Sequence, residues 1–300
     1  MNDSHSSKVP PTLDSIASAR WFNWPHDSSP WLHEEIGHRM QERLGWIRLQ
    51  PQLWVDWWPI SGGLVAHGKV QARYPQARCV VVESTHTREV LAQRALQAPW
   101  WRRWLKPHEL SFGQPETGSA NMVWANMALH LCVDPQALLQ EWHQALAVNG
   151  FLMFSSLGPD TLHELHAIYQ QQGWPPPSHA FTDMHDWGDM LVTAGFAEPV
   201  MDMERLTLTY ADPQSLLAEL RTLGRNLHRG RFSGLRGRRW RAQLEQVLLS
   251  LAKSEPDGRL SLTVEVIYGH ALKPLPRPKM AEQSSVSLQD MRTMLNQSKG

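Results

Sequence analysis

Cysteine is scarce: there are two in 300 residues, Cys79 and Cys132, far apart and without C-x-x-C spacing. That excludes a disulfide framework and argues against a structural zinc site. Both follow or sit in apolar runs and read as small core residues. No apolar run approaches the roughly 20 residues that span a bilayer. The opening MNDSHSSKVPPTLDS is polar and lacks the apolar stretch of a signal peptide. The chain is therefore read as cytosolic (cytoplasmic), with no membrane partner. An excess of either charge is missing too. Lys plus Arg and Asp plus Glu each number 29, so bulk charge points to no nucleic acid. With 42% hydrophobic and 19% charged residues, the chain can bury a core and is not composed like a disordered one.

Tryptophan is abundant instead, at 15 residues, with clusters at Trp21, Trp24 and Trp31, at Trp54, Trp57 and Trp58, and at Trp100, Trp101 and Trp104. Trp buries a large area where its N–H finds a partner, so filling of core and grooves is the plain reading. A stacking surface for bases is the weaker rival.

Strand and helix patterns alternate along the chain. Residues 1–12 are expected to be disordered. Helices are expected over Ser15–Phe22 and over Trp31–Leu44, where Leu32, Ile36, Met40 and Leu44 keep helical spacing. Gln52–Asp56 reads as a first strand, Trp58–Gly63 as a turn, and Leu64–Tyr74 as a helix. The run RCVVVE (Arg78–Glu83) reads as a buried strand, followed by a helix over Thr87–Leu96 and a loop over Pro107–Gly118. Asn121–Ala125 is a strand. Asp134 before Pro135 starts a helix running to Leu146, with Asp as N-cap and Pro in the first turn. Asn149–Gly150 turns into a strand over Phe151–Ser156, and Pro159–Asp160 opens a helix to Tyr169. After the stiff WPPPS come a helix over Met184–Ala194, a strand over Glu198–Tyr210, a helix over Pro213–Leu223 and a last strand in LSLTVEVIY (Leu260–Tyr268). Such alternation predicts an α/β fold with a doubly wound, mostly parallel sheet. One domain over 13–273 and a disordered tail over 274–300 are expected.

In a doubly wound sheet, ligands bind beyond the carboxyl ends of the strands. The loop after the first strand, Asp56-Trp57-Trp58-Pro59-Ile60-Ser61-Gly62-Gly63, and the acid ending the second, Glu83, are about 20 residues apart. That suits a nucleoside-binding βαβ unit, in which the carboxylate accepts both ribose hydroxyls. An acid ending a strand is also commonly just solvated.

Longer stretches carry a more specific resemblance. FSSLGPDTLHEL (Phe154–Leu165), MVWANMALHLCVDP (Met122–Pro135), FTDMHDWGDMLVTAGFAEPVMDMERLTLTYAD (Phe181–Asp212) and GRLSLTVEVIYGHAL (Gly258–Leu272) stand in order along residues 14–273. With the N-terminal IASARWF and LHEEIGHRMQERLGWIRLQP, they resemble the malonyl-ACP O-methyltransferases of biotin synthesis and their mitochondrial complex I assembly relatives. The resemblance implies a Rossmann-like class I methyltransferase fold with a C-terminal helical segment, about 213–250, over the acceptor side. It also implies S-adenosylmethionine as cofactor, malonyl-loaded acyl carrier protein as partner, and methyl transfer to a free carboxylate. By it, Asp56, Ser61, Gly62, Glu83, Glu109 and Asn126 are the cofactor-binding residues, while no catalytic residue is assigned. A carboxylate nucleophile is already ionised at neutral pH, so no strong base is needed.

The glycine loop departs from the family's D-x-G-x-G-x-G. Trp58 and Ile60 stand at two of its glycines, and Asn121 stands where an Asp is usual. A β-branched Ile at positive φ is unfavourable, and a Trp side chain could fill the space of the cofactor's methionine part. Two readings follow: a rebuilt loop that still takes S-adenosylmethionine, or a catalytically inactive paralogue that acts as a protein-binding or regulatory module.

The segment LRTLGRNLHRGRFSGLRGRRWR (Leu220–Arg241) has eight Arg and no acid. Arg suits carboxylate and phosphate, and an acidic carrier protein offers both. Carrier contact is the preferred reading for Arg221 and Arg225, expected at i,i+4 on one helix face. The later arginines read as a solvated basic face, and nucleic-acid binding is the weaker rival. Tyr268, with His270, is a candidate for the acceptor pocket, with core placement as the alternative. His163 and His166 flank Glu164, but HELH is not H-E-x-x-H, so no metal site is expected. His185 and Asp186 precede a helix that Asp186 would cap.

Overall fold

A computed structural model describes residues 12–24, 28–96, 109–254 and 258–276. Seven strands form one sheet in the order β3-β2-β1-β4-β5-β7-β6. They are β1 (Leu53–Trp57), β2 (Arg78–Val82), β3 (Leu110–Phe112), β4 (Ala120–Ala125), β5 (Leu146–Leu157), β6 (Ala197–Tyr210) and β7 (Leu260–Leu272). β7 runs antiparallel to β5 and β6, and the remaining neighbours pair in parallel. The order reverses between β1 and β4, so a crevice is expected beyond their carboxyl ends.

Alternation along β1 shows how the sheet is covered. Trp54 faces the cluster under the helices α2 (Trp31–Arg43) and α4 (Leu64–Arg73), with Ile36, Met40 and Val70. Val55 and Trp57 face the opposite cluster, with Leu139 and Trp142 of α6 (Pro135–Ala145) and Leu191 of α8 (Met184–Thr193). A separate cluster lies where α7 (His163–Gln171), α9 (Pro213–Leu223) and α10 (Arg238–Leu248) meet the ends of β6 and β7. A small fourth one holds α1 (Ser15–Asn23) through Trp21, Leu131 and Leu227. Two more helices, α3 (Pro59–Gly62) and α5 (His86–Leu96), flank the crevice. Among the described residues no helix is long and apolar enough to cross a membrane.

Several sequence expectations are corrected here. The 107–118 loop contains β3, which is only three residues long and adds no periodicity to read. The turn over Trp58–Gly63 closes into the short α3. The Asn149 turn (φ 64) is an irregularity within a β5 that already begins at Leu146. Pro159–Asp160 is a turn pinned by Glu265, whose carboxylate accepts the Asp160 N–H at 3.0 Å, so α7 begins only at His163. Asp183, not Asp186, caps α8 by accepting the His185 N–H at 2.7 Å. Asp134 caps α6 through the Ala137 N–H, with Pro135 in the first turn, as the sequence predicts. Residues 1–11, the cluster at Trp100, Trp101 and Trp104, and the tail from 277 lie outside the described residues.

Candidate functional site

The loop after β1 is built around a strained residue. Trp58 adopts a left-handed conformation (φ 61, ψ 54), then Pro59 opens α3 at its first position. Left-handed backbone costs a side-chain-bearing residue about 1–2 kcal/mol. Here the Trp58 N–H donates to the Val82 carbonyl at 2.8 Å, and the Phe22 ring lies 4.8 Å from its indole. Ile60 escapes the strain foreseen for it: it is helical, with its side chain fully buried. Of the two positions where glycine is replaced, Trp58 alone carries the positive φ.

Glu83 follows β2 and turns its carboxylate into this loop. Its Oε1 accepts the Ile60 N–H at 2.9 Å, which answers an open donor at the start of α3. Burial pushes its pKa from 4.5 to about 7, against the opposing pull of the Ile60 N–H and the Arg88 guanidinium. Arg88, from the first turn of α5, is fully buried. Its guanidinium donates to the Phe22 carbonyl at 2.9 Å, to the Trp21 carbonyl at 3.2 Å and to the Ser61 hydroxyl. The loop is therefore clamped to the last turn of α1. The sequence gives no hint of this role, because Arg at the start of a helix usually points to solvent.

Asn126 is the hub on the other side of the crevice. Its Nδ2 donates to the Gly62 carbonyl and, at 2.7 Å, to the His33 carbonyl. Its Oδ1 accepts the Ser155 hydroxyl at 2.6 Å, and Ser155 Oγ in turn accepts the Met127 N–H. Gly62 must be glycine here, since a Cβ would stand 2.7 Å from the Asn126 carbonyl oxygen. His33 Nδ1 meets the Ser61 carbonyl at 2.6 Å. Burial lowers the His33 pKa to about 4, so the ring is neutral and donates that hydrogen bond. Glu34, also from α2, accepts the Val65 and Ala66 N–H groups at 3.0 and 2.8 Å and so caps α4. Asp56 lies beneath the loop, buried against His67 Nδ1 at 2.7 Å. Burial raises its pKa, opposed by His67.

Asp56, Ser61, Gly62, Glu83 and Asn126 thus come together at the carboxyl ends of β1, β2 and β4. Glu109 does not join them. It precedes β3 at the level of Arg78, 3.9 Å from that guanidinium and 73% exposed. Five residues of β2 separate that level from Glu83, roughly 16 Å of strand. Tyr268 is buried on the face beneath α2, with the Arg43 guanidinium 3.8 Å over its ring and its hydroxyl toward Glu204, so the core alternative holds. Arg221 and Arg225 are exposed. They do not share a helix face, because α9 stops at Leu223 and Arg225 folds back onto the Arg221 carbonyl at 2.7 Å. Among the described residues no cluster of His, Cys, Asp or Glu could hold a metal ion. The residues around this loop that the sequence reading misses are Arg88, His33, Glu34 and Ser155.

A cavity of about 20 Å³ remains within the site, lined by Trp21, Pro30, His33, Ile60, Ser61 and Leu131. It has room for about one water.

No family model matches the chain. It is 38% identical over 262 residues to a malonyl-[acyl-carrier protein] O-methyltransferase of Gallionella capsiferriformans, covering 84% of this chain and 87% of that protein. It is 38% identical over 282 residues to the protein of that name from Laribacter hongkongensis, covering 91% of each. Among solved structures it resembles a Bacillus halodurans protein described as a methyltransferase, with TM-score 0.52 and 15% identity over 80% of this chain and all of that one. The YcgJ protein of Bacillus subtilis gives TM-score 0.52 and 14% identity, over 80% of this chain and 99% of that one. At such identities the structures establish the fold: a Rossmann-like class I methyltransferase sheet with flanking helices.

Proposed function

The chain belongs to the malonyl-[acyl-carrier protein] O-methyltransferase family, and from that premise we propose that it methylates the free carboxylate of a malonyl group carried on acyl carrier protein, with S-adenosylmethionine as donor. The observation that carries this reading is the 38% identity maintained over 91% of the chain. The residues at the switch point fit the donor chemically. Glu83 offers a carboxylate at the carboxyl end of β2 for ribose hydroxyls, while the Ile60, Ser61 and Gly62 N–H groups are bonded to Glu83 and to the Trp58 carbonyl. The cavity of about 20 Å³ beside Ile60 and Ser61 does not accommodate a nucleoside, so a donor bound there would have to displace α1 or the loop.

The bound donor supplies a methyl group activated by its positive sulfonium. The chain's residues position the reactants and exclude water. Such positioning is the main resource for in-line displacement by a carboxylate. Glu83 has to exchange the Ile60 N–H for the ribose hydroxyls, and it accepts both only when ionised. Asn126 keeps Gly62 fixed against β4 and β5 while the loop adjusts.

The acidic carrier protein is matched by the segment over 220–241. Arg221, Arg238 and Arg239 are exposed there, and the last two stand at the positive N-terminal end of α10. The resemblance places the product in biotin synthesis. The test is incubation with malonyl-acyl carrier protein and S-adenosylmethionine, followed by intact-protein mass spectrometry of the carrier. A mass gain of one methyl group, abolished by Glu83→Ala, is expected. An unmodified carrier at high enzyme concentration would overturn the reading.

A further inference from the structure

Helix α1 is tied at both ends, and the two ties reach different functional regions. At its start, the backbone from Thr12 to Asp14 is stitched to residues 227–231. The Asp14 N–H donates to the Leu227 carbonyl at 2.8 Å, and Leu13 bridges His228. The Arg229 N–H donates to the Thr12 carbonyl at 2.8 Å, and its guanidinium to the Leu13 carbonyl at 2.9 Å. Asp14 uses its two oxygens separately. Oδ1 caps α1 through the Ile16 and Ala17 N–H groups, and Oδ2 takes the Arg231 guanidinium at 2.6 Å. At its other end, α1 presents the Trp21 and Phe22 carbonyls to Arg88, which also holds Ser61, while the Phe22 ring covers Trp58. Between the two ends, Ser18 is fully buried and donates to the Leu131 carbonyl at 3.0 Å.

α1 is thus held by Leu13, Ser18 and Trp21 on its buried side, and among its ties the guanidinium contacts of Arg229 and Arg231 are ones that other groups can replace. Arg229 and Arg231 belong to the basic segment, and their present partners are carbonyls and one partly exposed carboxylate. An incoming phosphate or carboxylate competes directly for both guanidinium groups. Losing them removes two side-chain ties from the start of α1, while the backbone bonds of Asp14 and Arg229 and the buried Leu13 remain, so the helix is free to shift only slightly and as a body, carrying Trp21 and Phe22 with it.

We infer that α1 is a strap coupling the two regions: engagement of Arg229 and Arg231 by an acidic protein surface loosens the Arg88 clamp and opens the loop over Trp58–Gly63. The methyl donor would then bind most readily when the acyl acceptor's carrier is docked. This rests on the methyltransferase reading for the identity of the two ligands, but the mechanical coupling stands apart from it.

The test is hydrogen-exchange mass spectrometry on the full chain without any cofactor. Arg231→Gln removes the ion pair and leaves the Asp14 cap of α1 in place. It should speed exchange roughly threefold to fivefold over residues 15–23 and also over the loop 58–63, the scale of a partly exposed ion pair. Arg238→Gln, an exposed control in the same segment, should change neither. Exchange that rises only near residues 12–16, with the loop unchanged, would overturn the strap. A companion stopped-flow measurement with S-adenosylhomocysteine should show faster association in Arg231→Gln. A protein with the exchange signature but no binding would keep the strap and remove the methyltransferase reading.

Discussion

The loop after β1 and the arginine segment treat polar groups in opposite ways. In the loop, groups that could face a ligand are answered from within: Ile60 N–H by Glu83, Ser61 by Arg88 and His33, Gly62 by Asn126, and the start of α4 by Glu34. In the arginine segment, Arg221, Arg238 and Arg239 stand exposed, and Leu235 and Phe232 project among them. Burial explains the difference. An unmet polar group inside the crevice costs about 1–3 kcal/mol, whereas a solvated guanidinium costs nothing. A ligand entering the loop must therefore replace internal hydrogen bonds one for one, while a partner at Arg221, Arg238 and Arg239 only displaces water and counterions.

That contrast can be broken most strongly at Asn126. Asn126→Ala leaves the Gly62 and His33 carbonyls and the Ser155 hydroxyl without their partner, and should cost about 3 kcal/mol in urea unfolding. A loss under 1 kcal/mol would mean the hub is solvated after all.

Glu83 sharpens the contrast through pH. Its folded pKa of about 7 lies above the usual 4.5, so the fold favours the protonated form. Stability should be unaffected below pH 4.5, should fall as pH rises from 4.5 to 7 by on the order of 2–3 kcal/mol, and should level off above. Glu83→Gln should remove that slope. Donor affinity has the opposite trend, since ribose needs the ionised form: binding of S-adenosylhomocysteine should tighten up to pH 7 and then plateau. A flat affinity profile would separate Glu83 from the ribose.

Trp58→Gly returns glycine to the left-handed position. Relief of about 1 kcal/mol of backbone strain roughly offsets the lost Phe22 contact, so stability should change little while S-adenosylhomocysteine binds severalfold tighter. The smallest effect is expected at the other region. The double substitution Arg238→Ala/Arg239→Ala should leave thermal unfolding within about 0.5 kcal/mol of the parent. It should slow carrier association severalfold at low salt, with the difference shrinking as salt is added.

The sequence revealed the alternating architecture well, because capping and periodicity are local. Asp134-Pro135 marks the start of α6, and LSLTVEVIY marks a strand buried on both faces. Glu83 could be placed beside the crevice because it follows a strand, whereas Asn126 is named only through the family resemblance. What the sequence concealed is set by long-range contacts. Arg88 is buried only because the α1 carbonyls arrive from 66 and 67 residues away. Glu109 precedes a three-residue strand whose register no pattern fixes, and Arg225 leaves its expected face because the helix stops before Gly224.

The most direct test of the account is calorimetric titration with S-adenosylhomocysteine above pH 7, where Glu83 is ionised, on the full chain and on Glu83→Ala. Micromolar binding that disappears in Glu83→Ala is the predicted result. Absence of binding by the full chain up to millimolar ligand would contradict it, because the loop would then be closed for good.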